Sequence, residues 1–267
     1  MLFNYTLRDV TDCLFPQNAE SKKIGVSWFW LTDSLYHVDL GQMKLFENSP
    51  ESRAKYPEQP RYDRYPYIRF LEDFFEILPE ICASVPDDLY SYIETHEKRD
   101  RLIKLVNELE DWDSPLYNFP WFGRMDTGYL AVRSHYAFNL RGVDIHISYD
   151  FRDVFEDGLP VWSAGVGSHA IPCAHFLWEV EDLLNRFFTD METQVAKAER
   201  FVYDPRYCLY DGGGMESLIA EHEERKRFFY GKLQEIKSGS FDNALDWDAI
   251  RRELKDIVPD DQRTSPA

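Results

Sequence analysis

Residues Ser27–Gly41 read S-W-F-W-L-T-D-S-L-Y-H-V-D-L-G. Two apolar runs flank the triplet Thr32, Asp33 and Ser34, residue types that favour turns, and this spacing predicts a β-hairpin. Its first arm, Trp28 to Leu31, is apolar on both faces and is expected to be buried. The second arm alternates, with Tyr36, Val38 and Leu40 on one face and His37 and Asp39 on the other. Asp33 then caps a turn and Asp39 ends a strand. A strand that is apolar on both faces needs cover on both sides, so helices from elsewhere in the chain must pack on it.

Outward from that stretch, Phe3 to Leu7 reads as a strand, and Met43 to Phe46 extends the hairpin into a meander. Asn48 to Pro66 reads as a loop, because Pro57, Pro60 and Pro66 oppose regular structure. Ile68, Leu71, Phe75, Leu78 and Cys82 recur at helical spacing and predict a helix from Tyr67 to Ile81, which Pro79 should kink or end. A second helix is expected from Pro86 toward Asp111. Gly128 to Val132 reads as a strand. His135 to Leu140 and Val143 to Tyr149 both alternate with period two around Arg141-Gly142, predicting a hairpin with a two-residue turn. Val161 to Val166 offers one more strand. Three further helices are expected: a long one opened by Pro172, another over Met215 to Ile236, and a short one over Trp247 to Val258. The expectation is an α+β fold, with antiparallel hairpins and sheet packed by several long helices, in a single domain over residues 1–258 with a frayed tail over 259–267.

The chain has 267 residues, with 48 acidic and 30 basic side chains and a net charge of −18. That balance opposes nucleic-acid binding, which needs Lys and Arg against phosphate. The acid is concentrated: residues 72–113 carry 13 acidic and 4 basic residues, and residues 144–182 carry 8 and 1. No apolar run approaches the ~18 residues that cross a bilayer, and Met1 to Val10 lacks the pattern of a signal peptide. Cys13, Cys82, Cys173 and Cys208 are scattered without a C-x-x-C pair, as expected of free thiols in a cytoplasmic protein.

Few constellations point to chemistry. With a two-residue turn at Arg141-Gly142, His135 faces Ser148 and Ala137 faces His146. The two histidines are then diagonal neighbours, with Asp144 further along the same face. Two imidazoles and a carboxylate can hold a divalent metal, so a metal-dependent hydrolase at His135, Asp144 and His146 is the alternative reading. The same alternation also describes a solvated sheet face. D-G-G-G at 211–214 lacks the Lys-Ser/Thr of a phosphate loop and reads as a turn between helices. Cys173 lies near a helix start, where thiol pKa values fall, but its apolar neighbours fit a buried thiol.

Three segments together resemble an uncharacterised bacterial family. Trp28 through Tyr36 matches its W-x-x-L-T-D-G-x-Y motif, with Ser34 where glycine is usual. Arg69 through Pro79 matches R-x-x-E-D-x-x-x-I-L-P, and Asp126 through Leu130 reads D-T-G-Y-L. The resemblance spans roughly residues 25–200 and implies no activity, cofactor or catalytic residue. The function expected from charge and compartment is therefore binding. The chain reads as an acidic cytosolic module, most concretely an immunity-type antitoxin that occludes a basic toxin such as a nuclease, without a cofactor. The residues expected at the contact are Asp150, Asp153, Glu156 and Asp157 in one loop, and Glu72, Asp73 and Glu76 on the first long helix.

Overall fold

The computed structural model describes residues 1–13, 15–16, 24–109, 114–125, 135–204, 207–209, 214–241 and 245–258, with backbone alone at 15–16, 24–25, 135 and 207–209. The expected strand at 128–132, the D-T-G-Y-L segment, the glycines at 212–213 and the tail at 259–267 lie outside these residues.

In chain order the elements are β1 (Phe3–Leu7), β2 (Phe15–Pro16), β3 (Ile24–Val26), β4 (Asp33–Asp39), β5 (Lys44–Leu45), α1 (Pro50–Lys55), β6 (Asp63–Pro66) and α2 (Tyr67–Cys82). There follow α3 (Asp87–Tyr90), α4 (His96–Glu108), α5 (Pro115–Asn118), β7 (His135–Arg141), β8 (Asp144–Asp150), β9 (Phe155–Glu156), β10 (Leu159–Pro160) and β11 (Val166–Pro172). The last four are α6 (Cys173–Val202), β12 (Tyr207–Leu209), α7 (Met215–Lys237) and α8 (Trp247–Ile257). The fold is α+β. No helix among the described residues is long and apolar enough to cross a membrane. The chain forms two compact units: Met1–Phe75 with Val154–Ala164 and Ala174–Gly239, and Glu76–Asp153 with Gly165–Cys173 and Ser240–Ala267.

In the first unit β4 is the central strand of a sheet. β1 pairs antiparallel along one edge, placing Phe3 opposite Val38 and Leu7 opposite Ser34. β6 and β5 share the other edge, with Tyr36 opposite Asp63 and Val38 opposite Leu45. Thr32-Asp33-Ser34 is therefore not the turn of a hairpin. The chain from Trp28 to Thr32 is a turn and a 3-10 segment, and Asp33 already belongs to the strand. Polar satisfaction at long range explains the difference. Asp33 is buried but accepts from Arg8 Nη1 at 2.9 Å and Arg64 Nη2 at 2.6 Å, and Ser34 Oγ donates to the Tyr65 carbonyl at 3.0 Å. The alternation read from the sequence holds, since Tyr36, Val38 and Leu40 are all buried.

Aromatic rings fill the core beneath β4. Phe3 meets Phe74 edge-on at 5.1 Å, Tyr67 stacks on Phe70 at 5.2 Å, and Phe187 of α6 meets Trp28 edge-on at 6.3 Å. Pro79 neither ends nor breaks α2, which continues to Cys82. A second small sheet orders β12-β3-β2. The Pro-rich loop contains α1, which Ser49 caps by accepting the Ser52 N–H at 3.0 Å.

The second unit carries the sheet β11-β8-β7 and the helices α3, α4, α5 and α8. The strand expected at 161–166 lies at Val166–Pro172 instead, paired with β8. The β7–β8 hairpin forms, but Arg141 pairs with Asp144, so the turn is Gly142-Val143 rather than Arg141-Gly142. Gly142 has φ +58°, which suits the first position of such a turn. The helix expected over 86–111 is two helices, because Thr95 adopts an extended conformation and caps α4 through its hydroxyl. Leu89, Ile93, Leu102, Val106, Phe119, Phe122, Ile250 and Leu254 form this unit's helical core.

Candidate functional site

Within the second unit, the start of α4 and the strands β7, β8 and β11 enclose a cleft of about 260 Å³. α4 begins at His96 because the Thr95 hydroxyl accepts the Lys98 N–H at 3.3 Å. Its apolar stripe, Leu102 and Val106, runs back three residues to Arg99, which is only 3 % exposed. Among the described residues no carboxylate bonds this guanidinium; Nη1 donates to the carbonyls of Pro120 and Phe122, both at 2.9 Å, and Nη2 donates to Asn139 Oδ1 at 2.7 Å. Burial brings its pKa down to about 10, so it stays charged at neutral pH. Arg99 thus locks the 119–123 segment onto the sheet face bearing Asn139.

Around the mouth lie Glu94, His96, Glu97, Arg124, Asp150 and Ser168. Asp150, the last residue of β8, is buried and held by Arg152, whose Nε and Nη2 donate to its two oxygens at 2.9 and 2.5 Å. The same Nη2 donates to Glu97 Oε1 at 2.6 Å. The Arg152 hydrogen bonds keep the Asp150 carboxyl below its ordinary pKa. His96 Nε2 sits 3.0 Å from Asp100 Oδ2, yet burial lowers the imidazole's pKa and Arg124 adds to that shift. A neutral imidazole and two ionised carboxylates therefore line the cleft, the carboxylates sharing the Arg152 guanidinium. Such a set can exchange hydrogen bonds with a cationic group, because Arg152 is itself a cation held on Glu97 and Asp150.

The acidic residues expected at a contact fare differently. Asp73 is buried against Arg69 at 3.0 Å, and Glu72 binds Arg225 at 2.6 Å. Asp157 is held by Lys55 and Tyr56. With Asp150, four of the seven are engaged internally. Glu76, Asp153 and Glu156 are exposed and make no ion pair among the described residues. Glu76 and Asp153 belong to the second unit, Glu156 to the first. In the hairpin, the register changes the expected histidine relation. His135 lies opposite Asp150, not Ser148, and His146 lies opposite Asn139, not Ala137. Four residues of β7, about 13 Å of strand, separate His135 from Asn139, the residue opposite His146, so the histidines are not diagonal neighbours. Asp144 pairs with Arg141. Among the described residues no three His, Cys, Asp or Glu side chains group closely enough to hold a metal ion; the His135 side chain is outside that set.

The profile of a family described as "Family of unknown function (DUF5984)" matches residues 2–253. The chain belongs to this family. Neither a curated protein nor a solved structure matches it. In this DUF5984 chain, sequence reasoning missed His96, Arg99 and Arg124 as cleft residues. A signal for two of them was present. Arg99 falls on the apolar stripe of α4, three residues before Leu102, and His96 precedes Asp100 by one helical turn. Nothing local marks Arg124, whose guanidinium lies over the Trp121 ring at 4.8 Å.

Proposed function

We propose that this DUF5984 chain is a protein-binding module whose acidic second unit occludes a basic partner, most concretely a nuclease-type toxin domain that it neutralises as an immunity protein. The supporting observation is where the charge falls. The second unit holds 22 acidic and 12 basic residues, a net of −10 out of −18 for the chain. Exposed Glu97 shares the single Arg152 cation with buried Asp150, so that cluster keeps a net negative charge, and exposed Asp153 follows Arg152 in the chain. A basic nucleic-acid-binding surface is complementary to such a field, and opposite charge accelerates its docking. Buried Asp150 and Arg99 hold the backbone around the acidic rim rather than meeting the partner.

The test is co-expression with the polypeptide encoded by the adjoining reading frame. The intact chain should relieve that polypeptide's toxicity and bind it. The double variant Glu97→Lys/Asp153→Lys should bind about tenfold or more weakly, by the coupling energies of interfacial charge pairs. Unchanged affinity in the double variant would remove this assignment.

A further inference from the structure

Cys82 is the last residue of α2, and Cys173 is the first residue of the 30-residue α6. Both belong to the second unit, and neither is in a disulfide. Two backbone contacts carry them to one end of the sheet. Ser84, two residues beyond Cys82, bridges Leu140 of β7, and the Cys173 N–H donates to the Val143 carbonyl at 2.9 Å. Leu140 lies just before the β7–β8 turn and Val143 within it. There the Cys82 and Cys173 side chains lie close enough to interact directly.

From this placement we propose that Cys82 and Cys173 form a redox-active dithiol that hydrogen peroxide oxidises to an intramolecular disulfide. Cys173 is the attacking thiol. It is partly exposed, it opens the 30-residue α6, whose N-terminus favours a thiolate, and its interaction with Cys82 lowers its pKa. Its thiolate attacks one peroxide oxygen, the O–O bond breaks, and Cys173 becomes a sulfenic acid while hydroxide leaves. Cys82 is the resolving thiol. The pairing with Cys173, together with burial, keeps it protonated until that point. Its sulfur then attacks the Cys173 sulfur, the S–OH bond breaks, and the Cys82 proton leaves with the hydroxyl as water. One S–S bond replaces two S–H bonds, peroxide accepts the two electrons, and two waters are released. Cys13 contrasts with this pair: it is buried, and burial pushes its thiol up to about 12.

The full chain is treated with a small excess of hydrogen peroxide and mapped by mass spectrometry without reduction. The expected result is a loss of about 2 Da, carried by a cross-linked Cys82–Cys173 peptide and reversed by dithiothreitol. Cys13→Ser should keep the cross-link. Cys82→Ser should abolish it and leave Cys173 as a dimedone-reactive sulfenic acid. Oxygen adducts on the wild-type chain without the 2 Da loss, or a cross-link that maps to other cysteines, would overturn the proposal; the wild-type map decides this even if a variant fails to fold.

Discussion

At Asp33 a buried carboxylate is held by Arg8 and Arg64 where β4 begins, so its removal leaves two guanidinium groups without their shared anion. Both arginines reach solvent, which moderates the loss. Asp33→Ala is expected to lower the unfolding free energy by about 2 kcal/mol, read by urea denaturation. Asp63, opposite Tyr36, behaves in the opposite sense. Burial pushes its carboxyl up to about 6, so the fold favours the protonated form. Its contribution is fully present below the usual carboxylate pKa of about 4 and is lost as pH rises through about 6. Asp63→Asn is therefore expected to stabilise the protein by about 1–2 kcal/mol at pH 7 and by nothing at pH 4. Equal effects at both pH values would contradict this. Gly123 has φ +65°, and a Cβ there would lie 2.1 Å from the Phe138 carbonyl oxygen. Because that neighbour is sheet backbone, Gly123→Ala should cost more than about 2 kcal/mol in the same assay.

Among the elements, periodicity is the signal that transferred. α2, α6, α7 and α8 lie within a residue or two of the stripes that predict them, as does the β7–β8 hairpin. Some misreadings arise because the deciding partner is distant in sequence, and others turn on a single local residue. Thr32-Asp33-Ser34 has the chemistry of a turn, but Phe3–Leu7 and Asp63–Pro66 pair with it and arginines from both flanking segments neutralise Asp33. The hairpin register depends on which two residues make the turn, and moving that turn by one residue separated the histidines whose closeness motivated a metal reading. Likewise, the face of β7 that reads as solvated is covered, since Arg99 bonds Asn139 there. The break before α4 follows from its cap. Thr95→Ala removes the acceptor for the Lys98 N–H and should cost about 1 kcal/mol of stability.

For the whole molecule, periodicity foretold the α+β class and composition the acidic character, and neither could foretell which acids are spent on the fold. Glu72, Asp73, Asp150 and Asp157 each have a basic partner within the chain, and only coordinates reveal that. The proposed contact is accordingly placed on exposed acids of the second unit: Glu97, which shares the single Arg152 cation with Asp150, and Asp153. The most direct measurement is the affinity for the polypeptide of the adjoining reading frame, titrated from about 50 to 500 mM salt, a range over which the Debye length falls severalfold. Recognition by the acidic second unit predicts affinity that falls steeply with salt, and a shallower slope for Glu97→Lys/Asp153→Lys. A slope that is flat for the wild-type chain, or identical in the two proteins, would contradict it.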